Sequence, residues 1–233
     1  MSGERQKGVR RLWEVAWRVA VALALVPAIL VPVYRFVPPV STLMAWEWVS
    51  RMGRIERTWV SFDAISPSLV ATVMMSEDAR LCSHNGVDWH EMNRVIVRSD
   101  ERPRGASTIA MQSVKNLFLW PSRSYLRKLV EIPMALYADL VWGKRREIEI
   151  YLNIVEWGPG IFGAEAAARH YFHRSAAQLT LNQAALLAVT LPNPAVRDPS
   201  DPGPGLKELA QTVASRARLA GGYIDCLYPR ARL

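Results

Sequence analysis

From residue 19 to residue 34 the chain carries no charged side chain, only Val, Ala, Leu, Ile, Pro27, Pro32 and a closing Tyr34. Such a run has to be buried in protein or in lipid, and in lipid the backbone must satisfy its own hydrogen bonds, which a helix does. A helix over residues 12–34 reaches roughly 35 Å, enough for a hydrocarbon core, with Trp13 and Trp17 at one interface and Glu14 and Arg18 near the headgroups. The two prolines are tolerable in a membrane helix, as kinks. Ahead of the run, Arg5, Lys7, Arg10, Arg11 and Arg18 outweigh Glu4 and Glu14, so residues 1–11 are expected to stay cytoplasmic while the bulk of the chain is exported. The rival is a cleaved signal peptide, which wants a small-x-small site after the apolar run. The sequence there is Val33-Tyr34-Arg35-Phe36-Val37-Pro38-Pro39, so residues 12–35 are read as an uncleaved transmembrane anchor.

Roughly 200 residues remain, enough for one domain with its own core and too few for two. The formal charge of +8 suits a surface that faces anionic lipid or a pyrophosphate substrate. Nucleic acid is excluded as a partner: there is no zinc-finger cysteine spacing and no long basic block with interleaved aromatics. Cys82 and Cys226 are the only cysteines, so no disulfide framework is expected; a single bond and two free thiols are both open.

The exported part reads as mostly helical. Helices are expected at 66–75, with Ser66-Pro67 as cap and first turn, at 107–118, and at 125–142, with a kink at Pro133 and a break at Gly143. The helical pattern continues at 145–155, 163–171, 180–190 and 207–219, with a Pro/Gly/Asp loop between 194 and 206. Residues 36–63 read as an amphipathic linker lying on the bilayer, 64–225 as the domain, and 226–233 as a loose tail. The one strand signal falls at 59–62.

Chemistry-bearing residues come in ordered blocks. Ser76-Glu77-Asp78 is followed by His84, Gly86 and Asp88; Arg104-Gly105-Ala106-Ser107-Thr108-Ile109 by Gln112 and Lys115-Asn116-Leu117-Phe118-Leu119; Arg123-Ser124 by Arg127-Lys128 and Glu131. Tyr151-Leu152-Asn153, the glycines 158, 160 and 163, and Tyr171-Phe172 complete the series. Together, over residues 39–194, these blocks resemble the monofunctional biosynthetic peptidoglycan glycosyltransferases. The resemblance implies a lysozyme-like helical domain with a small membrane-proximal lobe behind one transmembrane helix. It also implies polymerisation of lipid II into glycan strands by inverting β-1,4 transfer, with release of undecaprenyl pyrophosphate, on the periplasmic side of the inner membrane. Lipid II, the growing lipid-linked strand, the bilayer and other wall-synthesis or division proteins are the expected partners.

Glycosyl transfer onto a hydroxyl needs a base, and the resemblance places that role on Glu77. By itself, a Glu here would read as a solvated residue at a helix C-terminus. Charge building on a departing pyrophosphate needs cations, supplied by Lys115, Arg123, Arg127 and Lys128. Arg123, Arg127 and Glu131 are four apart, so an ion-pair ladder on one helix face is the bland alternative, worth tenths of a kcal/mol. Glu131 matches the family's second acid, which orients those cations or helps to hold a divalent ion; no cofactor is obligatory, and Mg or Mn near Glu131 is left open. Arg104, Ser107, Thr108, Gln112 and Asn116 are expected to line the donor side, although Ser107 also stands where a helix cap would. Asp78, His84, Gly86, Asp88, Tyr151 and Asn153 are read as structural, shaping the turn around Glu77 or packing behind it. Leu81, Cys82, Ala106, Met111 and Gln183 depart from the family pattern without removing a proposed catalytic group. No penicillin-binding serine module is expected, since Ser-x-x-Lys with its companion blocks is missing from these residues. Two other classes stay in view: a lysozyme-like enzyme that cleaves glycan, and a non-catalytic membrane scaffold of the wall-synthesis machinery.

Overall fold

The computed structural model describes residues 2–50, 55–97, 107–120 and 124–228; Arg104 and Arg123 lie outside these segments. The chain divides into two compact units, Met1–Val37 and Pro38–Leu233. The first is the helix α1 (Ser2–Tyr34), which runs through Pro27 and Pro32 and whose stretch Arg10–Tyr34 is long and apolar enough to cross a bilayer.

The second unit is built from α2 (Thr42–Ser50), β1 (Glu56–Arg57), α3 (Pro67–Glu77), α4 (Trp89–Val97), α5 (Ile109–Phe118), α6 (Tyr125–Ile154), β2 (Glu156–Gly158), β3 (Ile161–Phe162), α7 (Ala164–Phe172), α8 (Leu181–Thr190) and α9 (Pro204–Arg218). The core follows from α3, whose residues from Leu69 to Met75 are all buried. A helix apolar on every side has to be surrounded, and α3 is enclosed mainly by α8 and α9. Ser66 caps it by accepting the Ser68 N–H, and Pro67 fills the first position, where a missing N–H costs nothing. α8 opens with a capping box in which Thr180 and Gln183 satisfy each other's backbone N–H, so Gln183 does there what a glutamate would. A second pairing, α5 against α6, carries most of the residues singled out for chemistry.

Several expectations need correction. The strand expected at 59–62 does not form: Asn153 uses its side-chain amide to bind both the N–H and the carbonyl of Val60, and Phe62 starts a 3-10 turn. Pairing falls instead on β1, parallel to β3 through Glu56↔Ile161 and Arg57↔Phe162, with β2 antiparallel on the other side. Residues 38–63 therefore belong to the domain's compact unit, with Phe62 in its core. The tail starts later than 226. Cys226 is bonded to Cys82, Leu227 is fully buried and the Tyr228 ring lies 5.3 Å from that of Phe62. Helix α4 has no counterpart in the sequence reading; its signal is the Asp88-x-x-Glu91 spacing, since Asp88 Oδ1 accepts the Glu91 N–H at 3.0 Å. Pro133 stays inside α6, whose break comes at Gly143, at φ 69° and ψ 160°.

Candidate active site

Glu77 is the last residue of α3, which ends with Asp78 as its C-cap. Its carboxylate faces α5: Gln112 Nε2 donates to Oε2 at 3.1 Å, and the Ser76 hydroxyl to Oε1 at 3.3 Å. Burial pushes the Glu77 carboxyl above its ordinary range, with the Asp78 charge adding to the effect and the Gln112 and Ser76 hydrogen bonds and Lys115 opposing it. A carboxylate so placed is a better base at neutral pH than one in water.

The turn after Glu77 is held from both sides. Asp78 accepts from the Ile109 N–H at 3.0 Å, satisfying the first free donor of α5, and its other oxygen lies 2.9 Å from His84 Nε2. Thr108, not Ser107, caps α5: its hydroxyl accepts from the Met111 N–H and donates to the Gly86 carbonyl at 2.6 Å. Gly86 sits at φ +73°, and a Cβ there would come within 2.5 Å of the Ala135 carbonyl oxygen on α6. Asp88 caps α4 and pairs with Arg80 at 3.4 Å. The residues read as structural around Glu77 thus form one clamp. Thr108 joins it through its buried hydroxyl.

Cations gather on the other side of Glu77. Glu131 is buried on α6, with Arg127 Nε 3.2 Å from one oxygen and Lys128 Nζ 3.3 Å from the other. Lys128 also donates to Ser107 Oγ at 2.8 Å, so Ser107 is tied to the cation cluster and not to a helix end. Lys115 feels Arg127, Lys128, Glu131 and Glu77; burial, then the repulsion of Arg127, lowers its pKa. The pairing of Arg127 with Glu131 is the ladder foreseen from the spacing, but buried, where it fixes the cation's position instead of decorating a surface. Both oxygens of Glu131 face cations, and among the described residues no group of three His, Cys, Asp or Glu could hold a metal.

A groove of about 520 Å³ is lined by Thr42, Leu43, Trp46, Lys115, Asn116, Leu119 and Trp120, its surface mostly apolar. Thr42 joins α2 to the end of α5 by donating to the Asn116 and Leu119 carbonyls. Tyr151 is fully buried behind the site with its hydroxyl on Gln112, and Asn153 bridges Val60 and the Glu149 carbonyl. Sequence reasoning missed a buried trio beneath the clamp: Lys144 pairs with Asp139 and stands 3.9 Å from the fully buried Glu147. The only signal for it was charge inside an otherwise apolar helical pattern.

Comparison with known proteins gives the family. The family model described as Transglycosylase matches residues 46–218, which include the clamp, the cation cluster and Glu77. The biosynthetic peptidoglycan transglycosylase of Brucella suis biovar 1 (strain 1330) is 57% identical over 217 residues, covering 91% of this chain and 96% of that protein. Those of Rhizobium meliloti (strain 1021), 50% identical over 98% of this chain and 100% of the relative, and of Agrobacterium fabrum (strain C58 / ATCC 33970), 54% identical over 88% and 92%, carry the same description. On the length and level of these matches, the chain belongs to the transglycosylase family.

Proposed function

We propose that this protein polymerises lipid II into the glycan strands of peptidoglycan. One observation carries the reading: a partly buried carboxylate whose basicity is raised, Glu77, lies within electrostatic reach of a lysine, Lys115, that belongs to a cation cluster fastened by the buried Glu131. In this reading Glu77 takes the proton from the 4-hydroxyl of the acceptor's N-acetylglucosamine. The freed oxygen bonds to the anomeric carbon of the growing strand from the face opposite its pyrophosphate. The carbon–oxygen bond to that pyrophosphate breaks, and an α-linked donor becomes a β-1,4 bond. Lys115, Arg127 and Lys128, with Arg104 and Arg123 as further candidates, offset the charge left on the pyrophosphate. Ser107, Gln112 and Asn116 are proposed to contact the donor, and no divalent cation is required.

The remaining proposals concern place. Residues 12–35 anchor the chain in the inner membrane with the domain on the periplasmic side, as the cationic N-terminal flank favours. The exposed Trp46, Trp48 and Val49 of α2 and Tyr125, Leu126, Leu129 and Leu140 of α6 meet the bilayer, where the lipid tails of both substrates stay. A glycan-cleaving relative of lysozyme would need a proton donor to the leaving sugar and no such cation cluster. The deciding experiment is polymerisation of labelled lipid II by the purified chain in detergent beside Glu77→Gln. Glycan from the wild type alone supports the reading; shortening of preformed glycan supports the hydrolase, and no reaction from folded protein supports the scaffold.

A further inference from the structure

Behind Glu77 two hydrogen bonds run in series. The Tyr151 hydroxyl donates to Gln112 Oε1 at 3.2 Å, and Gln112 Nε2 donates to Glu77 Oε2 at 3.1 Å, with the Ser107 carbonyl a more distant acceptor at 3.5 Å. Tyr151 is fully buried in the C-terminal half of α6, out of reach of a substrate at the surface. We propose that Tyr151 is a positioning residue for glycosyl transfer: its hydroxyl holds the Gln112 amide with its N–H toward Glu77, and that N–H keeps the Glu77 carboxylate ionised and aimed. The proposal rests on the reading of Glu77 as the base.

The chemistry of the three groups gives the relay one direction. A phenol donates well to an amide oxygen, and with Oε1 occupied the amide nitrogen can only face Glu77 and the Ser107 carbonyl, both acceptors. Flipped, the amide would set its oxygen against those two oxygens. Burial, with the Glu77 and Asp78 charges, pushes the Tyr151 hydroxyl well above its ordinary range, so it remains a donor wherever the enzyme works. A hydrogen bond donated to a carboxylate favours the charged form, against the burial that opposes it.

Removing the phenol oxygen should therefore raise the pH at which Glu77 loses its proton. Other groups around Glu77 are Ser76 and Asp78 on its own segment and Lys115 on α5. Asp78 is in turn bound by His84 and lies within electrostatic reach of Glu147 on α6. None of these is altered by Tyr151→Phe, which keeps the ring and its packing.

The test is the pH profile of polymerisation by the full chain in detergent with labelled lipid II, for wild type, Tyr151→Phe, Gln112→Leu and the double variant. The acid limb of kcat is expected to move up by about 0.5–1 pH unit in Tyr151→Phe, with turnover well above the limb within about 3-fold of wild type. Because both act through one chain of bonds, the double variant should shift no further than Gln112→Leu alone. Difference infrared spectroscopy of the Glu77 carboxyl, each protein against its Glu77→Gln counterpart, gives the same midpoint without turnover. A silent wild type would overturn the glycosyl-transfer reading while leaving this titration to decide the relay. If Tyr151→Phe lowers turnover equally at all pH values with the limb and the infrared midpoint unmoved, the residue merely packs and the proposal fails. Should that variant not fold, Tyr151→Met, which also fills the space without a donor, must show the shift in midpoint.

Discussion

At the scale of single residues, the environment of Glu77 makes its base role testable by pH alone. Its pKa is raised by burial, so the ionised form needed to accept a proton is lost as pH falls through a value above the usual carboxylate range of about 4.3. Polymerisation by the wild type is expected to fall on that acid side, and Glu77→Gln to abolish it at every pH, in an assay of labelled lipid II. Gly86 gives a stability counterpart. An alanine there would need a left-handed backbone and would drive its Cβ to 2.5 Å from a backbone oxygen of α6. Gly86→Ala should cost about 2–4 kcal/mol, read as a lowered denaturation midpoint, and should loosen the turn behind Glu77. How much of this was legible in the sequence differs residue by residue. Glu77, Lys115, Arg127 and Glu131 were named through the family resemblance of their blocks, and the structure brings them within reach of one another. That Thr108 and not Ser107 is the cap was not legible, because either hydroxyl could cap a helix beginning near 108; in the structure Thr108 takes the Met111 N–H and Ser107 the ammonium of Lys128, from a distant helix.

At the scale of elements, α6 holds the site from two sides of the Gly143 break: Arg127, Lys128 and Glu131 lie before it, Tyr151 and Asn153 after it. Beside the break sit Asp139, Lys144 and Glu147, and the balance of this trio sets a pH dependence of stability. Burial first, and then Asp139 and Asp78, hold the Glu147 carboxyl well above its ordinary range, against the attraction of Lys144. In that state the folded protein keeps a proton that the unfolded chain releases above about pH 4.5, so stability declines as pH rises from there toward the folded-state value. Glu147→Gln, neutral at all pH values, should remove this share of the decline. Chemical denaturation of both proteins at several pH values above 5 checks it: the wild type should lose stability relative to the variant as pH increases. The helices themselves were readable from period and caps, as at Ser66-Pro67 and Thr180. The strands were not, because two- and three-residue pairings leave no alternation to detect, and the competing demand of Asn153 on Val60 is made from 93 residues away.

At the scale of the whole molecule, the disulfide and the anchor point the same way. A bond between Cys82 and Cys226 persists in an oxidising compartment, which matches the periplasmic side proposed from the cationic flank of α1. It spans 144 residues of sequence and fastens the chain's C-terminal segment to the turn between Glu77 and His84. Closing a loop of that length removes freedom from the unfolded chain, worth about 3–5 kcal/mol. Reduction, or Cys82→Ser with Cys226→Ser, should lower the melting temperature by roughly 10 °C. Its effect should reach beyond stability. Leu227, next to Cys226, is fully buried, Tyr228 packs against Phe62, and Leu81, next to Cys82, is fully buried. Freed, this turn still has the Ile109–Asp78 and Gly86–Thr108 hydrogen bonds, the Asp78–His84 contact and the Arg80–Asp88 pair, but loses its covalent tie to the C-terminal segment. Polymerisation at a temperature where the reduced protein is still folded should therefore drop, and return on reoxidation. Full activity in reductant, with both thiols shown free by alkylation, would mean that the remaining noncovalent contacts suffice and that the bond serves stability alone.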